Sequence, residues 1–126
     1  MEKTIDEAIG LVMQGKLDFP GFLKIISGVG VERYNVDVAS HKVVYHAGPK
    51  DLTKHFSLPP LVVASLFDEG GIKDAIVSSQ KKEITYQQFL ERIAKAGVAG
   101  YETDISGRKV TYSGNGCSYV EPFPSK

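Results

Sequence analysis

The sequence predicts an α+β fold: two copies of a helix-helix-meander unit share one core, with helices covering one face of an antiparallel sheet. Three observations carry this. Residues 5–46 align on residues 72–113 without a gap, at an offset of 67. In each copy the apolar period changes from about 3.6 residues to 2, the change from helix to strand. A Gly-Val pair, Gly30-Val31 and Gly97-Val98, stands at each change.

The self-match is the strongest of the three. Thirteen of its 42 pairs are identical: Ile5/Ile72, Ala8/Ala75, Ile9/Ile76, Phe22/Phe89, Leu23/Leu90, Ile26/Ile93, Gly30/Gly97, Val31/Val98, Tyr34/Tyr101, Asp37/Asp104, Lys42/Lys109, Val43/Val110 and Tyr45/Tyr112. Ordinary residue usage gives roughly three by chance. The chain therefore reads as one supersecondary unit written twice, within a single domain of 126 residues.

In the first copy, Ile5, Ala8, Ile9, Val12 and Met13 fall at helical spacing, and Thr4 with Glu7 has the pattern of a capping box. The second copy keeps Ile72, Ala75 and Ile76. A second helix follows in each, with Asp18 or Thr85 as its cap and Gln88 completing a capping box on Thr85. Phe19, Phe22, Leu23 and Ile26 answer to Tyr86, Phe89, Leu90 and Ile93 on one face. Gly30 and Gly97 then end these helices in the left-handed conformation, with the following valine as the hydrophobic contact.

Two-residue turns at Ala39-Ser40 and Ser106-Gly107 set the hairpins, and a four-residue loop keeps the same register. Tyr34 then faces Tyr45, Val36 faces Val43 and Asp37 faces Lys42. In the second copy Tyr101 faces Tyr112, Thr103 faces Val110 and Asp104 faces Lys109. Tyrosines and valines share one face of each hairpin, and the Asp-Lys pairs lie on the other. Strands are expected near 31–38, 42–47, 98–105, 108–113 and 117–121, the last reached through Gly114-Asn115-Gly116, a type I′ signal, and ended by Pro122 and Pro124. The third strand of the first copy reads as the longer one, Leu52 to Leu58 after Gly48-Pro49. The joint between copies, residues 61–70, is open to helix or extended chain.

Fifteen Lys plus Arg balance fifteen Asp plus Glu with no block of like charge, which disfavours nucleic acid and anionic membrane surfaces as partners. The opening MEKTIDEAIG lacks the basic flank and apolar run of a secretory signal, and no stretch is apolar enough to span a bilayer, so a cytoplasmic protein is expected. A single cysteine, Cys117, rules out an internal disulfide.

The run GVAGYETDISGRKVTYSGNG, closing in YVEPFP and preceded by IKDAIVSSQKKEITYQQFLERIAKA, resembles domain of unknown function 1398. This is the YdfO-like superfamily of short bacterial and prophage proteins. The resemblance covers nearly the whole chain and implies an α+β fold, with no catalytic residues to carry over. In the first copy Ser40-His41 replaces the Gly-Arg of the second turn, so the halves are not interchangeable.

Candidate functional residues are few. Asp37 and Asp104 invite a paired-carboxylate reading, against which stands an exposed cross-strand pairing of each with a lysine. His41, His46 and His55 suggest zinc, but His41 and His46 are expected on opposite faces of their strand. Cys117 with Glu121 or His46 is the enzyme alternative, lacking a basic cluster to activate the thiol. The four duplicated tyrosines read as core-edge residues before a binding cage. No reacting constellation appears, so a non-catalytic binding or interaction module is expected, needing no cofactor and no metal. Its partner is a protein, a second copy or a small anionic ligand. Binding residues are expected where the copies differ: Arg33 and His46, facing each other on one polar face, then His55, and around Arg108 and Glu121 in the second meander. A nucleic-acid module, hinted by Arg33, Lys42, Arg108 and Lys109, ranks third.

Overall fold

The computed structural model describes residues 1–56 and 58–123. The first unit comprises α1 (Glu2–Met13), α2 (Phe19–Gly28), β1 (Arg33–Asp37), β2 (Lys42–Ala47) and β3 (Lys50–His55). The second comprises α3 (Glu69–Gln80), α4 (Tyr86–Lys95), β4 (Gly100–Asp104), β5 (Lys109–Gly114) and β6 (Cys117–Pro122). Every boundary in the second unit lies 67 residues after its counterpart. The six strands form one antiparallel sheet in the order β3-β2-β1-β4-β5-β6. At its centre Asn35 of β1 pairs with Glu102 of β4, its own equivalent, so a pseudo-two-fold axis passes between them.

The helices end where their sequences say. Asp18 accepts from the Gly21 amide at 3.0 Å, and Thr85 and Gln88 form the reciprocal capping box. Val31 N donates to Ile26 O and Gly30 N to Ser27 O, and Val98 and Gly97 repeat both bonds on Ile93 and Ala94. These are Schellman termini, with φ of 97° at Gly30 and 86° at Gly97. The expected Thr4–Glu7 capping box is not formed. α1 begins at Glu2 behind Met1, whose side chain carries no oxygen to accept from a first-turn amide, so the helix has no side-chain cap. Asp68, in the place of Met1, caps α3 through the Gly71 amide.

Both hairpins hold the expected register, Tyr34 opposite Tyr45 and Tyr101 opposite Tyr112. Their loops are the four-residue form, 38–41 and 105–108, each closed by a left-handed residue, His41 at φ 60° and Arg108 at φ 56°. The duplicated aspartates do not pair with the lysines opposite them. Asp37 Oδ1 accepts from the amides of Ala39 and Ser40, and Asp104 Oδ1 from that of Gly107, so each carboxylate holds the turn. His41 sits in this loop and not on the strand. It is buried, and its Nε2 lies 2.7 Å from Pro59 O.

Asn115 and Gly116 have φ of 48° and 77°, the expected type I′ turn. In the first unit only Gly48 is positive there, because proline at 49 fixes a negative φ. The third strands are equal, six residues each, and the longer one expected in the first unit ends at His55. Ser57 and Pro124, on which parts of that expectation rested, lie outside the described residues. The joint is neither helix nor strand until α3 begins at Glu69. It lies along the end of α4, Ala64 N donating to Ala94 O and Asp68 N to Ala96 O.

Buried side chains from all four helices meet Tyr34, Val36, Val43, Tyr45, Tyr101, Val110 and Tyr112 in one core. On the other sheet face, which carries Asn35, His46 and Glu102, no helix packs among the described residues. Among the described residues no helix is long and apolar enough to cross a membrane.

Candidate functional site

The open sheet face brings two of the expected residues together. Arg33 and His46 are directly opposed across β1 and β2. Arg33 Nη1 is 3.8 Å from Glu102 Oε2, which also accepts from Asn35 Nδ2 at 3.1 Å. His46 lies between Asn35 Oδ1, 3.1 Å from Nε2, and Asp51 Oδ1, 2.8 Å from Nδ1. Each positive or ionisable donor thus has a carboxylate of this chain beside it, and an anion seated here would have to displace Glu102 or Asp51.

The other expected residues lie elsewhere. His55 is exposed at the outer edge, opposite Lys42. Arg108 lies in the β4–β5 loop with its guanidinium 5.5 Å from the Phe123 ring centroid. Glu121 points to the helix-covered side, where its carboxylate accepts from the Tyr119 hydroxyl. Cys117 is exposed on β6, four strands from His46 on β2, roughly 19 Å at the usual strand spacing. Asp37 lies opposite Gly100 and Asp104 opposite Arg33, at opposite ends of the β1–β4 ladder and roughly 13 Å apart along it. Neither the Cys-Glu-His set nor the paired carboxylates therefore assemble. Among the described residues no group of three His, Cys, Asp or Glu side chains converges as a metal site.

A cleft of about 830 Å³ lies on the helix side of the sheet, on the pseudo-two-fold axis. Its floor is the tyrosine face of the meanders, and its walls are α1–α2 and α3–α4 with their loops. Ten of the chain's twelve Phe and Tyr residues line it; Phe67 and Tyr119 do not. Tyr34 and Tyr45 pack with centroids 5.4 Å apart, and their equivalents Tyr101 and Tyr112 are 5.5 Å apart. Phe22 stands edge-on to Tyr34 at 6.0 Å, and Phe89 edge-on to Tyr112 at 6.4 Å. Aromatic pairs in this range contribute about 0.5–1.5 kcal/mol beyond the area they bury.

The two units close the cleft on each other. Phe56, after β3, packs edge-on against Tyr86 of α4 at 5.9 Å. Phe123, after β6, packs edge-on against Phe19 of α2 at 5.7 Å. These contacts are equivalent under the 67-residue offset, and each joins one unit's third strand to the other unit's second helix. At the helix loops Lys82 Nζ lies 4.0 Å from Asp18 Oδ2, again between units. Sequence reasoning missed this ring. Its signal was present: the offset continues past residue 46 and places an aromatic at 19 and 86, and at 56 and 123.

The cleft's hydroxyls are neutral donors. Burial pushes Tyr34, Tyr45, Tyr101 and Tyr112 well above the usual phenol range, and Tyr86 up to about 12. Tyr86 and Tyr101 share one hydrogen bond, oxygen to oxygen 2.6 Å. Phe19, in the place of Tyr86, gives Tyr34 no such partner. The hydroxyls of Tyr45 and Tyr112 make no side-chain hydrogen bond among the described residues.

No curated protein matches the chain. A family described as "Protein of unknown function (DUF1398)" matches residues 6–121, from α1 to β6, and the chain belongs to that family.

Proposed function

We propose that this protein is a non-catalytic, cytoplasmic binding module whose ligand occupies the axial cleft. One observation carries the reading: ten of twelve aromatic side chains surround about 830 Å³ of space in a chain of 126 residues. Packed interiors hold few voids larger than a water molecule, whereas small-molecule sites are concave, mostly apolar and about 300–1,000 Å³. The test is native mass spectrometry of the protein purified from its own host, beside a Val12→Trp variant that fills the wall. A bound small molecule released on denaturation and lost in the variant is expected. Retention by the folded variant would move the site out of the cleft.

A protein partner is the second reading, favoured by Val62 and Leu66, which are 90% and 80% exposed on the joint. A second polypeptide in the same spectra, in place of a small molecule, would select it.

A further inference from the structure

The floor of the cleft obeys the two-fold, but its walls do not. Val12 and Met13 of α1 are answered by Ser79 and Gln80 of α3, all four lining the cleft. At these two positions the first unit offers apolar side chains and the second polar ones. Between them the Tyr45 and Tyr112 side chains are 1% and 5% exposed, with hydroxyls that have no side-chain partner among the described residues. Neither hydroxyl is among the buried side-chain atoms left without a partner, so each keeps some surface toward the cleft it lines and can donate there to a ligand that carries an acceptor.

Taking the cleft as the binding site, we propose that its ligand is a neutral, flat aromatic amphiphile that presents a hydrogen-bond acceptor to Tyr112 and its apolar part to the α1 wall. Flatness follows from the rings that border the cleft without being fully buried, Phe19, Phe56, Tyr86 and Phe123, which favour stacked or edge-on aromatic contact. The acceptor follows from phenols that burial keeps protonated, so that they donate. Neutrality follows from the surroundings. An anion would meet the Glu121 carboxylate on the Tyr112 side, where it raises that phenol's pKa further. A cation would be desolvated against Val12 and Met13 of α1, and the Glu121 carboxylate is already engaged by Tyr119. At the helix loops Lys16 and Lys82 balance Asp18 and Glu83, with Lys82 Nζ 4.0 Å from Asp18 Oδ2.

The test is fluorescence titration of the whole protein with propionyl-dimethylaminonaphthalene, a neutral planar ketone, and with anilinonaphthalenesulfonate, a planar anion of similar bulk. The neutral dye should bind with a shift of emission to shorter wavelength, and the sulfonate should bind about tenfold more weakly or less. Tyr112→Phe should weaken the neutral dye about fivefold and Tyr45→Phe less than about twofold, one hydrogen bond being at stake. Both variants remove a hydroxyl with no side-chain partner, so both should fold, which the melting temperature checks. Equal binding of the two dyes, or no loss in Tyr112→Phe, overturns the ligand class and leaves the cleft standing. Equal losses in the two tyrosine variants overturn the orientation. Failure of the neutral dye to bind, or unchanged binding in folded Val12→Trp, overturns the cleft itself.

Discussion

Two glycines that look alike in the sequence carry different loads. Gly30 and Gly97 both have positive φ and both end a helix. A Cβ on Gly30 would meet nothing within 4 Å, whereas one on Gly97 would lie 2.2 Å from Leu66 O, because the joint crosses the second unit's helix end. Gly30→Ala should therefore cost only the left-handed penalty, about 1 kcal/mol, and Gly97→Ala about 3 kcal/mol once the backbone clash is added. Denaturant midpoints of the two variants check this, and equal losses would mean the joint yields freely. The units advise on a second substitution. Thr103 is fully buried, and its Oγ1 has no hydrogen-bond partner of acceptable geometry, although the Tyr34 hydroxyl lies near it. Its equivalent is Val36, buried in the same setting. Thr103→Val should raise stability by about 1 kcal/mol, read from the same midpoints. A loss would show that the Tyr34 hydroxyl and Thr103 do bond.

At the scale of elements, the turn aspartates decide which interaction the duplication preserves. Asp104→Ala should cost about 1 kcal/mol by freeing the Gly107 amide, and Lys109→Ala under about 0.5 kcal/mol, because no ion pair joins Lys109 to Asp104. Equal costs in urea denaturation would restore the cross-strand pair. This is also where reading from sequence succeeds and stops. The hairpin register was legible because a one-residue slip would turn Tyr34, Tyr45, Tyr101 and Tyr112 to solvent in both copies at once. The helix ends at Gly30 and Gly97 were legible because only glycine takes that backbone cheaply. The start of α1 was not, since Thr4 and Glu7 fit a capping pattern by type while the helix already begins at Glu2 and so holds both inside it. The joint was illegible for a different reason. Its conformation is set by the Ala94 and Ala96 carbonyls at the end of α4, distant in the chain from most of it and outside any local pattern. The cleft likewise depends on Phe56 meeting Tyr86 and Phe19 meeting Phe123, contacts that no single copy contains.

For the molecule as a whole, gathering tyrosines on one axis ties stability to alkaline pH. Tyr34, Tyr45, Tyr86, Tyr101 and Tyr112 all have folded pKa values above the ordinary 10.0, chiefly because burial penalises the phenolate. A raised folded pKa means that above pH 10 the folded state holds protons that the unfolded chain has released, so stability falls as pH rises. Below the unfolded value the contribution is fully present; it is lost between about pH 10 and the folded values, which for Tyr86 is about 12. Each group fully in that window costs about 1.4 kcal/mol per pH unit, and five acting together cost about 7 kcal/mol per unit. Total stabilities of 5–15 kcal/mol leave little beyond one to two pH units of resistance. The expected outcome is a sharp, cooperative unfolding above about pH 10, in which tyrosinate absorbance rises together with the loss of helical circular dichroism. Tyr119, which is more accessible and raised first by its bond to Glu121, should contribute little to the slope. Gradual phenol ionisation with the helix signal intact would mean that solvent reaches the tyrosines in the folded protein, and that the cleft is open water and not a sheltered site.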